Sequence, residues 1–102
     1  LTSLDVTGFD TSNVTNMMNM FNECSQLTSL DVTGFDTSNV TNMISMFNGC
    51  GKLTSLDVSN FNMSKVSNVF NVDDMFNGVT CKIELGPDWT DEMKTNAKYE
   101  ER

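Results

Sequence analysis

Apolar residues in the first 26 positions fall at Leu1, Leu4, Val6, Phe9, Val14, Met17, Met20, Phe21 and Cys24. Neither a helical spacing of 3.6 nor a strand spacing of 2 fits the whole list. The changing spacing suits a coil that turns several corners and places a residue or two inward on each side. Leu4 and Val6 flank Asp5, an alternation that predicts a short strand over Leu1 to Val6. Thr7-Gly8 reads as a turn, and Phe9 is the next inward residue. Asp10-Thr11-Ser12-Asn13 is a corner, because all these side chains bond readily to local backbone. Val14 to Met17 suits a second short strand, and Met18 to Cys24 one turn of helix with Met20, Phe21 and Cys24 inward.

The same pattern then recurs. Residues 27–52 differ from residues 1–26 only where Met18, Asn19, Glu23, Ser25 and Gln26 become Ile44, Ser45, Gly49, Gly51 and Lys52. A third, looser version starts at Leu53. Self-similarity at a fixed period is the signature of a repeat architecture, in which each coil buries its apolar face against its neighbours. The sequence therefore predicts a short right-handed solenoid with parallel strands on one side and short helical turns on the other. Residues 1–82 form three coils (1–26, 27–52, 53–82), and residues 83–102 form a C-terminal cap. In the third coil Val69 takes the place of Met17, and an insertion lies within Phe70 to Asp74. Ile83 and Leu85 suit a last strand. Asp88 is the predicted N-cap of a closing helix, with Asp91 and Glu92 in its first turn and Trp89, Met93 and Ala97 along one face. Leu1 opens a coil with no capping segment before it. The first coil is expected to be covered by further repeats of a parent protein or by another copy of the chain, and the isolated chain to self-associate through it.

Charge narrows the function. The net charge is −8, so nucleic acid and anionic membrane are not expected partners. No apolar run approaches a membrane span, so direct insertion is not expected either. The first 51 residues carry Asp5, Asp10, Glu23, Asp31 and Asp36 and no Lys or Arg; all six basic residues lie from Lys52 onward.

The stretches LTSLDVTGFDTSNVTNM and MFNGC resemble the BspA-like leucine-rich repeats of bacterial surface proteins, in their 26-residue version found in Gram-positive cell-wall proteins and mycoplasma lipoproteins. The resemblance covers Leu1 to about Gly78. It implies a leucine-rich-repeat-like solenoid, an extracellular location at the cell surface, and a binding or adhesion role. It carries no catalytic residues.

The candidate site is the outward strand face. Asp5, Asp31 and Asp57 each sit between inward residues, and Ser3, Ser29 and Ser55 share their face. Stacked carboxylates roughly 5 Å apart repel by about 1 kcal/mol per pair in water-like dielectric, so something should compensate. Two readings are open: a binding strip for a cation, a basic partner or a glycan, or a face kept soluble, with the Ser hydroxyls, backbone and water absorbing the charge. The glycine-rich calcium nonapeptide is missing, and no metal or cofactor is expected. Cys24 and Cys50 share one repeat position, near enough for a disulfide, and equally suited to two reduced core thiols. Asn16, Asn42 and Asn68, and likewise Asn22, Asn48 and Asn77, are placed to form amide ladders. The leading function is a non-enzymatic binding or adhesion module recognising a protein or glycan. The alternative is a structural stalk or self-assembling unit with no specific ligand.

Overall fold

A computed structural model of the chain describes residues 3–102. Strand β1 (Ser3–Leu4) pairs in parallel with β2 (Ser29–Leu30), Ser3 opposite Ser29 and Leu4 opposite Leu30. Asn16 pairs in parallel with Asn42. The Thr54 N–H donates to the Thr28 carbonyl at 3.1 Å, one further 26-residue step along the chain. Strand β3 (Leu56–Val58) pairs in parallel with β4 (Ile83–Leu85), Asp57 opposite Glu84. The strands are shorter than the alternation predicts, because an Asp-centred turn bends the chain: the Thr7 N–H donates to Asp5 Oδ1 at 3.0 Å. Leu1, at which the first predicted strand begins and on which the expected uncapped edge rests, lies outside the described residues.

A threonine clasp joins consecutive segments at the predicted corner. The Thr11 hydroxyl donates to the Asp36 carbonyl (3.1 Å) and accepts from the Asp36 N–H (2.8 Å). Thr37 treats Asn62 in the same way, at 3.2 and 2.7 Å. Both threonines are buried, and both are satisfied across the segment boundary.

Met18 to Cys24 is not helical. Met20, Asn22 and Cys24 donate three residues back, to Met17, Asn19 and Phe21, as a run of tight turns. The intervening N–H groups of Met17, Asn19, Phe21 and Glu23 donate instead to Asn42, Ile44, Met46 and Asn48 of the next segment, at 2.7–2.9 Å. Asn19 and Glu23 hold left-handed φ values of 63°, which no α-helix accommodates. Gly49 and Gly78 stand at the later counterparts of Glu23, with φ of 84° and 85°, where glycine adopts this conformation without strain.

The third segment shifts register, and its equivalences differ from the predicted ones. The Met43 N–H donates to Asn71, Ser45 to Asp73, Phe47 to Met75 and Gly49 to Asn77. Val72, not Val69, therefore occupies the inward Met17 position, and it is fully buried. The extra residues precede Asn71, where a 3-10 helix spans Val69–Val72 with Asn68 as its N-cap. Spacing counted from Val69 misplaced the insertion because Asn68 keeps the local bond of its counterparts: its Oδ1 accepts from the Phe70 N–H just as Asn16 Oδ1 accepts from Met18.

Residues 83–102 cover the end of the third segment. Helix α1 (Asp91–Asn96) is capped by Thr90, not Asp88; the Thr90 hydroxyl accepts from the Met93 N–H at 3.2 Å. Trp89, Met93 and Ala97 are buried, as their spacing predicts. The Asp74 and Phe76 N–H groups donate to the carbonyls of Asn96 and Ala97 at 3.0 and 2.9 Å. These two carbonyls stand in for those of a further segment, so the helix end continues the ladder while its apolar face covers the core. Gly86 lets the chain pass close to the third segment, since a Cβ there would meet the Ser59 carbonyl at 2.7 Å.

The core is a column of rings. Phe21 and Phe47 lie 5.7 Å apart, Phe47 and Phe76 6.0 Å, and Phe76 and Trp89 5.5 Å. Of the residues predicted inward, Val6, Met17 and Phe21 are buried, whereas Leu4, Phe9 and Met20 are exposed. Phe9 is 53% exposed and its counterpart Phe35 only 5%. Phe35 packs against Phe21 of the preceding segment, ring centres 6.3 Å apart, and among the described residues Phe9 has no such neighbour.

Candidate functional site: the outward strand face

All six predicted residues, Ser3, Asp5, Ser29, Asp31, Ser55 and Asp57, line one open groove of about 510 Å³. Parallel pairing at a constant 26-residue step sets them in two columns, with Ser3 opposite Ser29. The β3–β4 pairing extends the acidic column to Glu84. It places Lys82 beside Ser55, and Lys82 Nζ lies 3.5 Å from Glu84 in an exposed ion pair. Leu4 and Leu30 also touch the groove; Leu30 is buried, as its alternation predicts, and Leu4, exposed, gives the groove its apolar component.

The carboxylates are held by neighbours other than Ser3, Ser29 and Ser55. Asp5 Oδ1 accepts from the Thr7 N–H (3.0 Å) and the Thr7 hydroxyl (2.6 Å). Asp31 has the same pair from Thr33, and Asp57 from Ser59. The recurring Asp-x-Thr/Ser spacing is the sequence signal that could have found these partners. Hydroxyl donation, then backbone N–H donation, holds all three carboxyls below the ordinary range; Asp5 pushes Asp31 slightly upward, and Asp31 does the same to Asp57. Ser12 and Ser38 act likewise on Asp10 and Asp36. Local donors therefore outweigh the repulsion between stacked carboxylates.

A pH dependence follows from these shifts. A carboxyl with a lowered folded-state pKa stabilises the fold above its unfolded value, and that contribution disappears as the pH falls. The melting temperature should therefore drop on acidification below about pH 4. The triple substitution Asp5→Asn, Asp31→Asn, Asp57→Asn should flatten this drop without abolishing it, since Asp10 and Asp36 titrate in the same sense. Thermal melts of both chains between neutral and acidic pH test this, and identical profiles would refute it.

The other predicted ladders divide. Asn48 Nδ2 donates to Asn22 Oδ1 and Asn77 Nδ2 to Asn48 Oδ1, each at 3.0 Å, a continuous amide ladder. Asn16, Asn42 and Asn68 do not stack in this way: each Oδ1 accepts from the N–H two residues on. Cys24, Cys50 and Cys81 are free thiols. Cys50 is fully buried and its Sγ contacts the Phe21 carbonyl at 3.2 Å. Burial, with Cys24 beside it, pushes its thiol up to about 11. In the native protein at pH 8 Cys50 should therefore be the slowest thiol to react with a disulfide reagent, and denaturant should remove the difference. Equal native rates at all three positions would contradict the packing.

The family model described as Mycoplasma protein of unknown function, DUF285, matches residues 1–98. The chain belongs to this family. No curated protein and no solved structure matches it. In this DUF285 chain the match runs past Gly78, where the resemblance noted above stops, and takes in helix α1 with the three segments. Among the described residues no helix is long and apolar enough to cross a membrane.

Proposed function

We propose that this DUF285 chain is a non-enzymatic binding module of a bacterial surface protein, built as a leucine-rich-repeat-like solenoid of the BspA-like kind. It works outside the cell and recognises a protein or glycan through the outward strand face. The observation that carries this reading is the single open groove that gathers Ser3, Asp5, Ser29, Asp31, Ser55 and Asp57 beside Leu4 and Leu30. Repeated carboxylates and hydroxyls at a fixed spacing offer a row of acceptors to a ligand that is itself repetitive, and Leu4 gives it apolar contact. The hydrogen bonds to each carboxylate fall on Oδ1, so Oδ2 is left to meet a ligand. The chain also carries the sequence likeness to BspA-like repeats, which implies a surface role.

A second reading, a structural stalk with no specific ligand, is favoured by the same hydrogen bonds, because each Asp already has local work in its turn. Screening the chain against glycan arrays and purified matrix proteins separates the two. The binding reading expects a saturable ligand whose affinity falls at least about tenfold in Asp31→Arg, Asp57→Arg, measured at a temperature where circular dichroism shows the variant folded. A ligand indifferent to that substitution would remove the groove from the account, and no ligand in either screen would leave the stalk.

A further inference from the structure

The chain contains two Asn-Gly steps, Asn48-Gly49 and Asn77-Gly78, and they stand at equivalent places in consecutive segments. Both glycines are left-handed, with φ of 84° and 85°. Asparagine is a thermolabile residue, and a following glycine, having no side chain, leaves Asn Cγ open to attack by the next main-chain nitrogen.

The fold holds the two steps unequally. The peptide unit between Asn48 and Gly49 is fixed on both sides: its carbonyl accepts from the Glu23 N–H at 2.7 Å, and its N–H donates to the Asn77 carbonyl at 2.8 Å. The Asn48 side chain is fixed at both ends as well, Nδ2 donating to Asn22 and Oδ1 accepting from Asn77. The unit between Asn77 and Gly78 has only the bond from Gly49. The cap supplies the Asn96 and Ala97 carbonyls to Asp74 and Phe76, and among the described residues no acceptor meets the Gly78 N–H. The Asn77 side chain is tied through Nδ2 alone, because it ends the amide ladder. Asn77 and Gly78 are exposed, whereas Asn48 and Gly49 are half-buried. A main-chain N–H that is exposed and unbonded gives up its proton more readily than one held in a ladder.

We propose that Asn77-Gly78 is a site of covalent self-modification, deamidation through a cyclic imide, and that the fold withholds the same reaction from Asn48-Gly49. The Gly78 N–H gives its proton to hydroxide, and the nitrogen attacks Asn77 Cγ. A C–N bond forms, the Cγ–Nδ2 bond breaks, and Nδ2 leaves as ammonia with a proton taken from water. A second water opens the imide at one carbonyl or the other, giving aspartate or isoaspartate. Both products lack Nδ2, the donor to Asn48 Oδ1, and both add a negative charge to a molecule of net charge −8. The reaction therefore releases the carboxyl-terminal rung of the amide ladder. The site is separate from the Ser/Asp face and does not depend on the function proposed for it.

The full chain is incubated at mildly alkaline pH, with and without denaturant, and peptide mapping by mass spectrometry follows deamidation at each step. In the native protein Asn77 should convert at least about tenfold faster than Asn48, which must break two more hydrogen bonds to reach the imide. In denaturant the two rates should come together. The native chain should gain a more acidic species on anion exchange, and Asn77→Gln should not, because glutamine closes its larger ring far more slowly. The converted chain, once separated, should melt below its parent. Equal native rates, or a faster reaction at Asn48, would overturn the assignment. So would an Asn77 that stays intact in the native protein while the denatured chain converts. A converted chain that melts with its parent would overturn the release of the rung.

Discussion

Phe47→Ala should leave the chain at the edge of unfolding at room temperature. Phe47 is fully buried, with Phe21 and Phe76 stacked on its two faces at 5.7 and 6.0 Å and Phe61 at 6.3 Å. Truncating a buried Phe costs about 3–5 kcal/mol, through lost transfer free energy and the cavity left behind. A domain of this length has roughly 5–15 kcal/mol in total. The main-chain ladder runs on both sides of Phe47, with Phe21 N–H to Met46 and Phe47 N–H to Met75, so the walls of the cavity cannot collapse freely. The melting temperature should fall by roughly 15–30 °C, taking about 4–8 °C per kcal/mol for a domain of this size. Phe9→Ala is the internal control. It removes the same side chain from an exposed position and should cost no more than about 0.5 kcal/mol. Thermal melts followed by circular dichroism compare the two, and equal losses would contradict the ring column.

Truncation after Leu85 should be at least as damaging. It removes Trp89, Met93 and Ala97, all buried, and with them the contact of Trp89 on Phe76 at 5.5 Å. Phe76, Met75 and Val72 lose their cover on that side. The truncation also removes the Asn96 and Ala97 carbonyls, leaving the N–H groups of Asp74 and Phe76 without acceptors. Water can satisfy these donors only while the apolar side chains beside them, Val72, Met75 and Phe76, are exposed to it. The expected product aggregates or gives no cooperative melt. A truncated chain that stays monomeric, with a sharp transition, would show that the 3-10 helix at Val69–Val72 closes the end and that α1 is dispensable.

The gap between these two sites and Phe9 illustrates what was legible before any coordinates. The recurrence of residues 1–26 in 27–52 contained the parallel register of Ser3 with Ser29, because identical segments repeat their best contacts at a constant offset. The Ser and Asp columns of the candidate site followed from that register and from strand alternation. Trp89, Met93 and Ala97 were legible too, since apolar residues at spacing four must find a common surface.

Burial at Phe9 was not legible: the same residue type is covered or bare according to what lies beside its segment. Nor was the replacement of Val69 by Val72, or of a helical turn by tandem turns over Met18 to Cys24. In both cases main-chain N–H groups choose between a local acceptor and one in the next segment, and spacing within one segment cannot say which wins. The exposure of Leu4 beside the carboxylates, where its counterpart Leu30 is buried, likewise depends on what lies beside its segment and not on its alternation. Local bonding preferences are written residue by residue, but the partner that satisfies each group is settled only when the segments pack against one another.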